Sequence, residues 1–363
     1  MTRSNPISPD PRVESAATCL QSAGYLCMAL GWARQFKEKR ELPSGRLPIR
    51  RIYFPGQFGG GFANILGLFM FDLWLFFQHL KVRPKIIHAF DLDTVLPALL
   101  ASLILKNFVV YDIADWYADS RRVGFLRPVI ENLERWACNK ADLVVLPHED
   151  RLQQLGFTPP KLVIYYNSPS EVEALCANTG SHPSGTYFAY VGVLQRDRGI
   201  PQMIEAALSA NVMLIIAGFG PLSDYCKEAA SKEPGIIFCG KVSYGKALEI
   251  EGNALAILAL YSPALRNNHF AAPNKLYEAM MLRRSLVTTN GISLGRFVES
   301  EGIGVAVPYG DIKELASVLT LLVSDQAKCE EMGKKARQLY ETKYSFSKQC
   351  TRLLTAYEQL GKS

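Results

Sequence analysis

Short apolar runs alternate with longer stretches whose apolar positions recur at helical spacing, from one end of the chain to the other. In the first half this pattern predicts a helix over 11–23 ending at Gly24, strands over 25–30 and 48–54, and, after Gly59-Gly60-Gly61, an apolar helix running to Leu80. It continues with a strand over 86–89, a helix over 94–105, a strand over 108–112, a helix over 126–138 and strands over 143–146 and 162–166. Alternation of this kind belongs to α/β folds with parallel sheets. Only residues 1–4 precede the Asn5-Pro6 turn, so the first strand is expected to be stunted, or the natural start to lie upstream of Met1.

Between Asn167 and Tyr187 the pattern lapses into Ser, Pro, Gly and Thr, a linker composition. It then restarts, with strands expected over 188–193, 212–217, 236–239, 255–260, 286–289 and 305–307. Helices are expected between them over 200–210, 222–231, 244–251, 273–282 and 294–300, and after them over 312–323. The last amphipathic stretch, 329–360, has no strand left to follow. We therefore expect a front domain over 1–168, a linker over 169–186, a second domain over 187–340, and a C-terminal helix over 341–363 returning to the front domain. Each half reads as a doubly wound parallel sheet; two such sheets facing each other leave a cleft, and open α/β sheets bind ligands at the carboxyl ends of their strands.

Composition narrows the reading. The chain has 363 residues, 48% hydrophobic and 20% charged, a globular balance. Its net charge of +6 divides into 20 Lys+Arg against 15 Asp+Glu up to residue 170 (+5) and 20 against 19 beyond it (+1). A surplus of that size, without basic–aromatic interleaving, argues against nucleic acid as a partner. The eight cysteines show neither CxxC nor zinc-ligand spacing, and most sit in apolar-periodic stretches, so buried free thiols and a reducing, cytoplasmic compartment are expected. No signal peptide is evident, and Asp72 inside the apolar run argues against a membrane span.

Four constellations fall at strand ends. Gly192 to Ile200 places Gly192 at a strand end and Arg198 beside Gly199 at the start of a helix, donors and charge suited to a phosphate, though solvated arginines in an ordinary turn would read the same. Pro273-Asn-Lys-Leu-Tyr-Glu278 opens a helix whose first N–H groups, at Asn274 and Lys275, favour an anion. Behind them Glu278 is placed either to accept two ribose hydroxyls or simply to pair with Lys275. His88 and Asp91-Leu-Asp93 end a front-domain strand: His88 has general-base chemistry, Asp93 with Thr94 suits a helix cap, and Asp91 with Asp93 spells a weak DxD metal pattern. Asp115 and Tyr117, after the next front strand, face an acceptor or cap a loop. Glycines at Gly218, Gly220 and Gly240, with Cys239 and Lys241, let a flat ring or another backbone come close.

Taken together these segments resemble the family-four (GT4) retaining glycosyltransferases of bacterial polysaccharide assembly, whose GT-B architecture has two Rossmann-like domains. The resemblance implies a nucleotide-sugar donor bound by the second domain, with Gly192 and Arg198 at the diphosphate, Asn274 and Lys275 nearby, Gly218 and Cys239-Gly240-Lys241 towards the base, and Glu278 on the ribose. It implies a saccharide or lipid-linked acceptor in the front domain, no metal or other cofactor, and a leaving diphosphate that helps take the acceptor's proton. Arg198 and Lys275 would then stabilise that leaving group, and His88 or Asp115 would serve the acceptor.

Three positions depart from the family pattern: Phe270 where a first glutamate is common, Val193 where a basic residue often follows the glycine, and Ala114 where a histidine precedes the aspartate. They keep open a catalytically degenerate scaffold, binding a partner transferase or lipid, and an epimerase-like GT-B enzyme. The apolar stretch over 62–80, with Lys81, Arg83 and Lys85 behind it, is expected either to be buried in the fold or to lie against an anionic membrane surface, making the protein peripheral on the inner face of the cell membrane.

Overall fold

The computed structural model describes residues 1–7, 10–40, 47–56, 65–121, 123–171 and 185–361. The Gly59-Gly60-Gly61 loop, the start of the apolar stretch before Ile65 and most of the expected linker lie outside the described residues. The chain divides into two units, one made of Met1–Asn167 with Ser347–Ser363, the other of Ser168–Phe346.

The first unit runs β1 (Thr2–Arg3), α1 (Pro11–Ser22), β2 (Ala29–Ala33), α2 (Phe36–Arg40), β3 (Ile49–Tyr53), α3 (Ile65–Val82), β4 (Ile86–Phe90) and α4 (Leu92–Leu105). It continues with β5 (Phe108–Asp112), α5 (Tyr117–Ser120), α6 (Arg127–Lys140), β6 (Leu143–Leu146), α7 (Arg151–Leu155) and β7 (Leu162–Ile164). All seven strands are parallel, in the order β3-β2-β1-β4-β5-β6-β7. The order reverses at β1, which has only two residues yet sits centrally, Thr2 pairing with both Leu30 and Ala89. Asp10 caps α1 by accepting from the Val13 N–H at 3.2 Å, and Pro11 fits the first turn because its missing N–H is not needed there.

Two expectations need correction here. The second strand is Ala29–Ala33 rather than 25–30: its register with β3 runs from Ala29↔Ile49 to Ala33↔Tyr53, buries Trp32, and leaves Leu26 fully exposed on the approach. Asp93 does not cap α4; its carboxylate accepts from the Ser4 hydroxyl at 2.5 Å, and the cap position falls to Asp91 at φ 62°.

The second unit runs β8 (Tyr187–Val193), α8 (Ile200–Ser209), β9 (Met213–Phe219), α9 (Ser223–Lys232), β10 (Ile236–Phe238), α10 (Tyr244–Gly252) and β11 (Ala256–Ala259). There follow α11 (Asn274–Met281), β12 (Ser285–Thr289), α12 (Ser293–Ser300), β13 (Gly304–Val307), α13 (Ile312–Ser324) and α14 (Gln326–Leu339). Its parallel sheet has the order β10-β9-β8-β11-β12-β13, so the strand order reverses at β8 and β11 flanks the switch point. One core cluster is built on Phe188, Ile216, Leu258 and Val287 from the strands and Met203, Leu319 and Met332 from helices, and a second on Tyr187, Ala189, Ile215 and Ala217 with Ala247 and Ile250 of α10.

After a π turn at Tyr340–Tyr344, α15 (Phe346–Leu360) packs in the first unit, burying Gln349, Leu353, Tyr357 and Leu360 along one stripe. It also brings Cys350 onto Cys19 of α1 in a disulfide. This corrects the expectation of free thiols throughout and removes the cysteine argument for a reducing compartment. Cys138, Cys226 and Cys329 are buried and free, whereas Cys239 is exposed. No helix among the described residues is long and apolar enough to cross a membrane.

Candidate functional site

In the second unit the predicted donor residues gather where the strand order reverses. Beyond β8, a 3-10 turn at Arg196–Arg198 leads into α8 through Gly199, whose φ of 67° is left-handed and where a Cβ would come within 3.0 Å of Leu260. Two bonds pin this turn: the Tyr309 hydroxyl donates to Arg196 O at 2.8 Å, and the Ser262 N–H donates to Asp197 O at 2.8 Å. Arg198 is thereby held with its guanidinium over the Tyr261 ring, 4.6 Å from the centroid, and its Nε 3.5 Å from Asp197.

The glycines serve packing before anything else. A Cβ on Gly218 would lie 1.8 Å from Gly192 O, so the paired ends of β8 and β9 can come this close only with glycine there. Gly218 N–H donates to Gly240 O at 2.8 Å, which ties in the next loop. There Gly240 takes a φ of 65° in open space, and Lys241 sits 5.3 Å over the Phe219 ring beside the exposed Cys239.

At α11, Pro273 takes the cap position and the first intrahelical bond runs from Leu276 N–H to Pro273 O at 3.1 Å, which leaves the N–H groups of Asn274 and Lys275 at the positive helix end. The side chain of Lys275 points elsewhere. Its Nζ lies 2.6 Å from Glu278 and 2.7 Å from Glu251 of α10, both carboxylates buried, while the Tyr244 hydroxyl donates to the other oxygen of Glu278 at 3.0 Å. Burial, with Glu278 adding to it, pushes the Glu251 carboxyl up to about 8, whereas the two acids outweigh burial at Lys275 and raise its pKa. Burial raises the Tyr261 hydroxyl against the opposing pull of Arg198 and Lys275.

In the first unit, His88 is not available as a base. Its Nδ1 lies 2.6 Å from the Tyr357 hydroxyl of α15, its Nε2 3.2 Å from Asp112, and its ring stacks on Phe90. Burial lowers its pKa against the pull of Asp112, so it is neutral near pH 7. Asp112 is held below the usual carboxylate range despite its burial, because Arg12 contacts it at 2.6 Å. Asp115 is different: half-exposed, it accepts at 2.8 Å from Arg151, a buried arginine of α7. The two acids of the DxD pattern are engaged within the protein. Asp91 bonds Arg3 at 3.2 Å and the Ala114 N–H at 3.1 Å, and Asp93 bonds Ser4.

Sequence reasoning missed Glu251, Tyr244, Arg12, Arg151 and Tyr357. A charge among the apolar positions of α10 was the one available signal for Glu251, and Tyr244 opens the same helix without one; in the first unit Arg12, Arg151 and Tyr357 reach Asp112, Asp115 and His88 from distant elements.

Two family models match the chain: one described as "Glycosyl transferase 4-like domain" over residues 9–167, the other as "Glycosyl transferases group 1" over residues 173–339. A comparison with curated proteins found no matching sequence. Among solved structures, the sucrose-phosphate synthase of Thermosynechococcus elongatus is similar at TM-score 0.76 and 14% identity, covering 97% of this chain and 93% of that one. Anabaena Alr3699/HepE in complex with UDP is similar at TM-score 0.70 and 15% identity, covering 100% and 98%. The lipopolysaccharide outer core galactosyltransferase WaaB gives TM-score 0.64 and 14% identity, covering 99% and 98%. At such identity these likenesses speak for the fold, and the paired sheets of this chain are that fold. With one model on each of its two units, the chain belongs to the glycosyltransferases of GT4 type and GT-B architecture.

Proposed function

We propose that this protein transfers a sugar, with retention of configuration, from a nucleotide-diphosphate donor to a saccharide or lipid-linked acceptor, in the synthesis of a cell-surface polysaccharide or glycolipid. The observation that carries this is that Arg198 follows the carboxyl end of β8 while the N–H groups that open α11, with the buried Glu278 one turn behind them, follow the neighbouring β11. A diphosphate takes the first two and a ribose the third. A structure of similar fold has been solved with UDP and with UDP-glucose, which favours a uridine donor as the first to try.

On this reading Arg198 and the helix start bear the charge that develops on the departing diphosphate, in a site already shaped for it, and that stabilisation is the main catalytic contribution. The leaving diphosphate takes the acceptor's proton on the same face of the sugar, and no metal or other cofactor is used. The loop at Cys239, Gly240 and Lys241 lies beside the base. Asp115 serves the acceptor, while His88 keeps the end of β4 in place. Membrane contact through residues 62–80 makes the protein peripheral on the inner face of the cell membrane.

Thermal melting with UDP, GDP and dTDP tests the donor site: one of them, at about a hundred times its Kd, should stabilise the fold by about 2.7 kcal/mol. With a matched donor, Arg198→Ala should slow transfer by roughly a hundredfold to a thousandfold. A nucleotide that binds while no donor is ever hydrolysed or transferred would instead support the scaffold reading, for which Phe270, Val193 and Ala114 are the motive. No nucleotide binding at all removes the transferase reading.

A further inference from the structure

The helices α3, α4 and α6 follow β3, β4 and β5, and α3 packs on α4 and α4 on α6, so they form one layer over the sheet of the first unit. The outer surface of this layer is apolar. On α3, Leu66, Phe69, Met70, Leu73 and Phe77 are exposed at spacings of three and four, the stripe of a single helix face. On α4 the exposed positions are Leu100, Leu103 and Ile104; on α6 and the turn before it they are Phe125, Val129 and Trp136. Exposed apolar residues scattered singly need no explanation, but stripes on three adjoining helices do.

Charge completes the pattern. Because each helix of the layer runs back against the strands, its C-terminal end lies at the edge of the sheet where the next strand begins. Lys81, Arg83 and Lys85 stand before β4, Lys106 before β5 and Lys140 before β6, all exposed. The nearby Asp142 is turned inward onto the Val109 N–H at 2.8 Å. Cations at helix C-termini suit the macrodipole, which accounts for some of the charge but for none of the apolar stripes.

We propose that this whole layer, and not α3 alone, is a docking face for an anionic lipid bilayer: the three stripes enter the interface and the five basic residues meet lipid phosphates along one edge. The proposal rests on the membrane contact suggested above and gives it a surface and an orientation. The cationic edge lies opposite the carboxyl ends of the strands, so docking leaves that end of the sheet, with Asp115, clear of the lipid.

The full chain is tested by co-sedimentation with phosphatidylcholine vesicles with and without phosphatidylglycerol, at low and high salt. Binding is expected only with phosphatidylglycerol and should weaken as salt rises. Lys81→Glu with Arg83→Glu and Lys85→Glu should reduce it on the order of a hundredfold. Leu103→Asp, on α4 and outside α3, should reduce it as well, and Trp136 fluorescence should be quenched by brominated lipid in the unsubstituted protein. Far-ultraviolet circular dichroism and the nucleotide-induced melting shift, measured on the same samples, separate loss of docking from loss of fold or of the donor site. Absence of binding at low salt overturns the proposal. So do equal binding to neutral vesicles, or a dimer in solution that Leu103→Asp converts to monomer, which would give the face to a second copy. Binding that Leu103→Asp leaves intact overturns the extension beyond α3.

Discussion

With its Nζ 2.7 Å from Glu251 and 2.6 Å from Glu278, Lys275 is the cation shared by two buried carboxylates. Its side chain therefore holds the acids in place, while its backbone N–H remains at the helix start for an anion. The two roles predict different outcomes on substitution. Lys275→Met leaves uncompensated charge in the interior and should cost about 3–5 kcal/mol of stability in denaturant unfolding. Adding Glu278→Gln to that variant should recover part of the loss, because it removes the carboxylate that has lost its cation. Were Lys275 chiefly a phosphate ligand, Lys275→Met would weaken nucleotide binding and leave unfolding unchanged. The sequence showed half of this arrangement, since Lys275 and Glu278 are three residues apart on one helix and their contact can be read from spacing alone. Glu251 lies on another helix, and only the packing of α10 beside α11 brings it near. His88 failed as a base for the same reason: Tyr357, which occupies its Nδ1, is 269 residues away.

At the scale of elements, the strands and the longer helices were legible because each carries enough turns or alternations to display its period. Strand β5 was read at its observed bounds, Phe108–Asp112, and so was β6, Leu143–Leu146. The misplaced β2 shows the limit: an apolar run marks a strand, but hydrogen bonds to both neighbours set where it starts, and those are long-range facts. The short helices α2, α5 and α7 were missed, each having too few turns for a period to show. The disulfide was misread because Cys19 and Cys350 are separated by 331 positions and have no spacing signature. It closes a very long loop, so in the chain-entropy account it constrains the unfolded chain strongly. We predict that reduction, or Cys350→Ser, lowers stability by about 2–4 kcal/mol, measured by thermal melting with and without reductant. The helix should nevertheless stay docked under reducing conditions, because Leu353, Tyr357 and Leu360 remain buried and Tyr357 still meets His88. Tryptic cleavage within 347–360 on reduction alone would show that the bridge, and not the apolar stripe, holds α15.

Across the whole molecule, the ionisable groups that folding buries set an unusual pH dependence. Burial raises Asp72 to about 8, with Asp93 adding to it, and raises Glu134 to about 8 against the N–H bonds it accepts from Tyr117 and Ala118. Glu251 is likewise raised to about 8 by burial, and Asp91 to about 6. A carboxyl whose pKa is raised on folding binds its proton more tightly in the folded chain. Its contribution is therefore complete below the unfolded value and lost as pH rises through the folded one. These acids together favour the folded state on acidification from about pH 8 towards pH 5.5. Among the described residues the opposing groups are fewer: burial lowers His79 to about 3 and lowers His88, and the Met1 amino group is brought down to about 6. Each of these binds protons more tightly when unfolded and so pulls stability down as pH falls, the histidines below about 6.5 and the amino group below about 8. Four raised acids against three lowered bases, with three of the acids still holding their protons near neutrality, leave the acids ahead across this window. The melting temperature should thus rise from pH 8 to about pH 5.5, where a protein with ordinary ion-paired carboxylates would hold level or fall. Asp72→Asn should flatten that rise, because it removes one of the acids that titrate there. A melting temperature that climbs steadily from pH 5.5 to pH 8 would mean that these carboxylates are ionised in the folded protein and that their burial is relieved by partners.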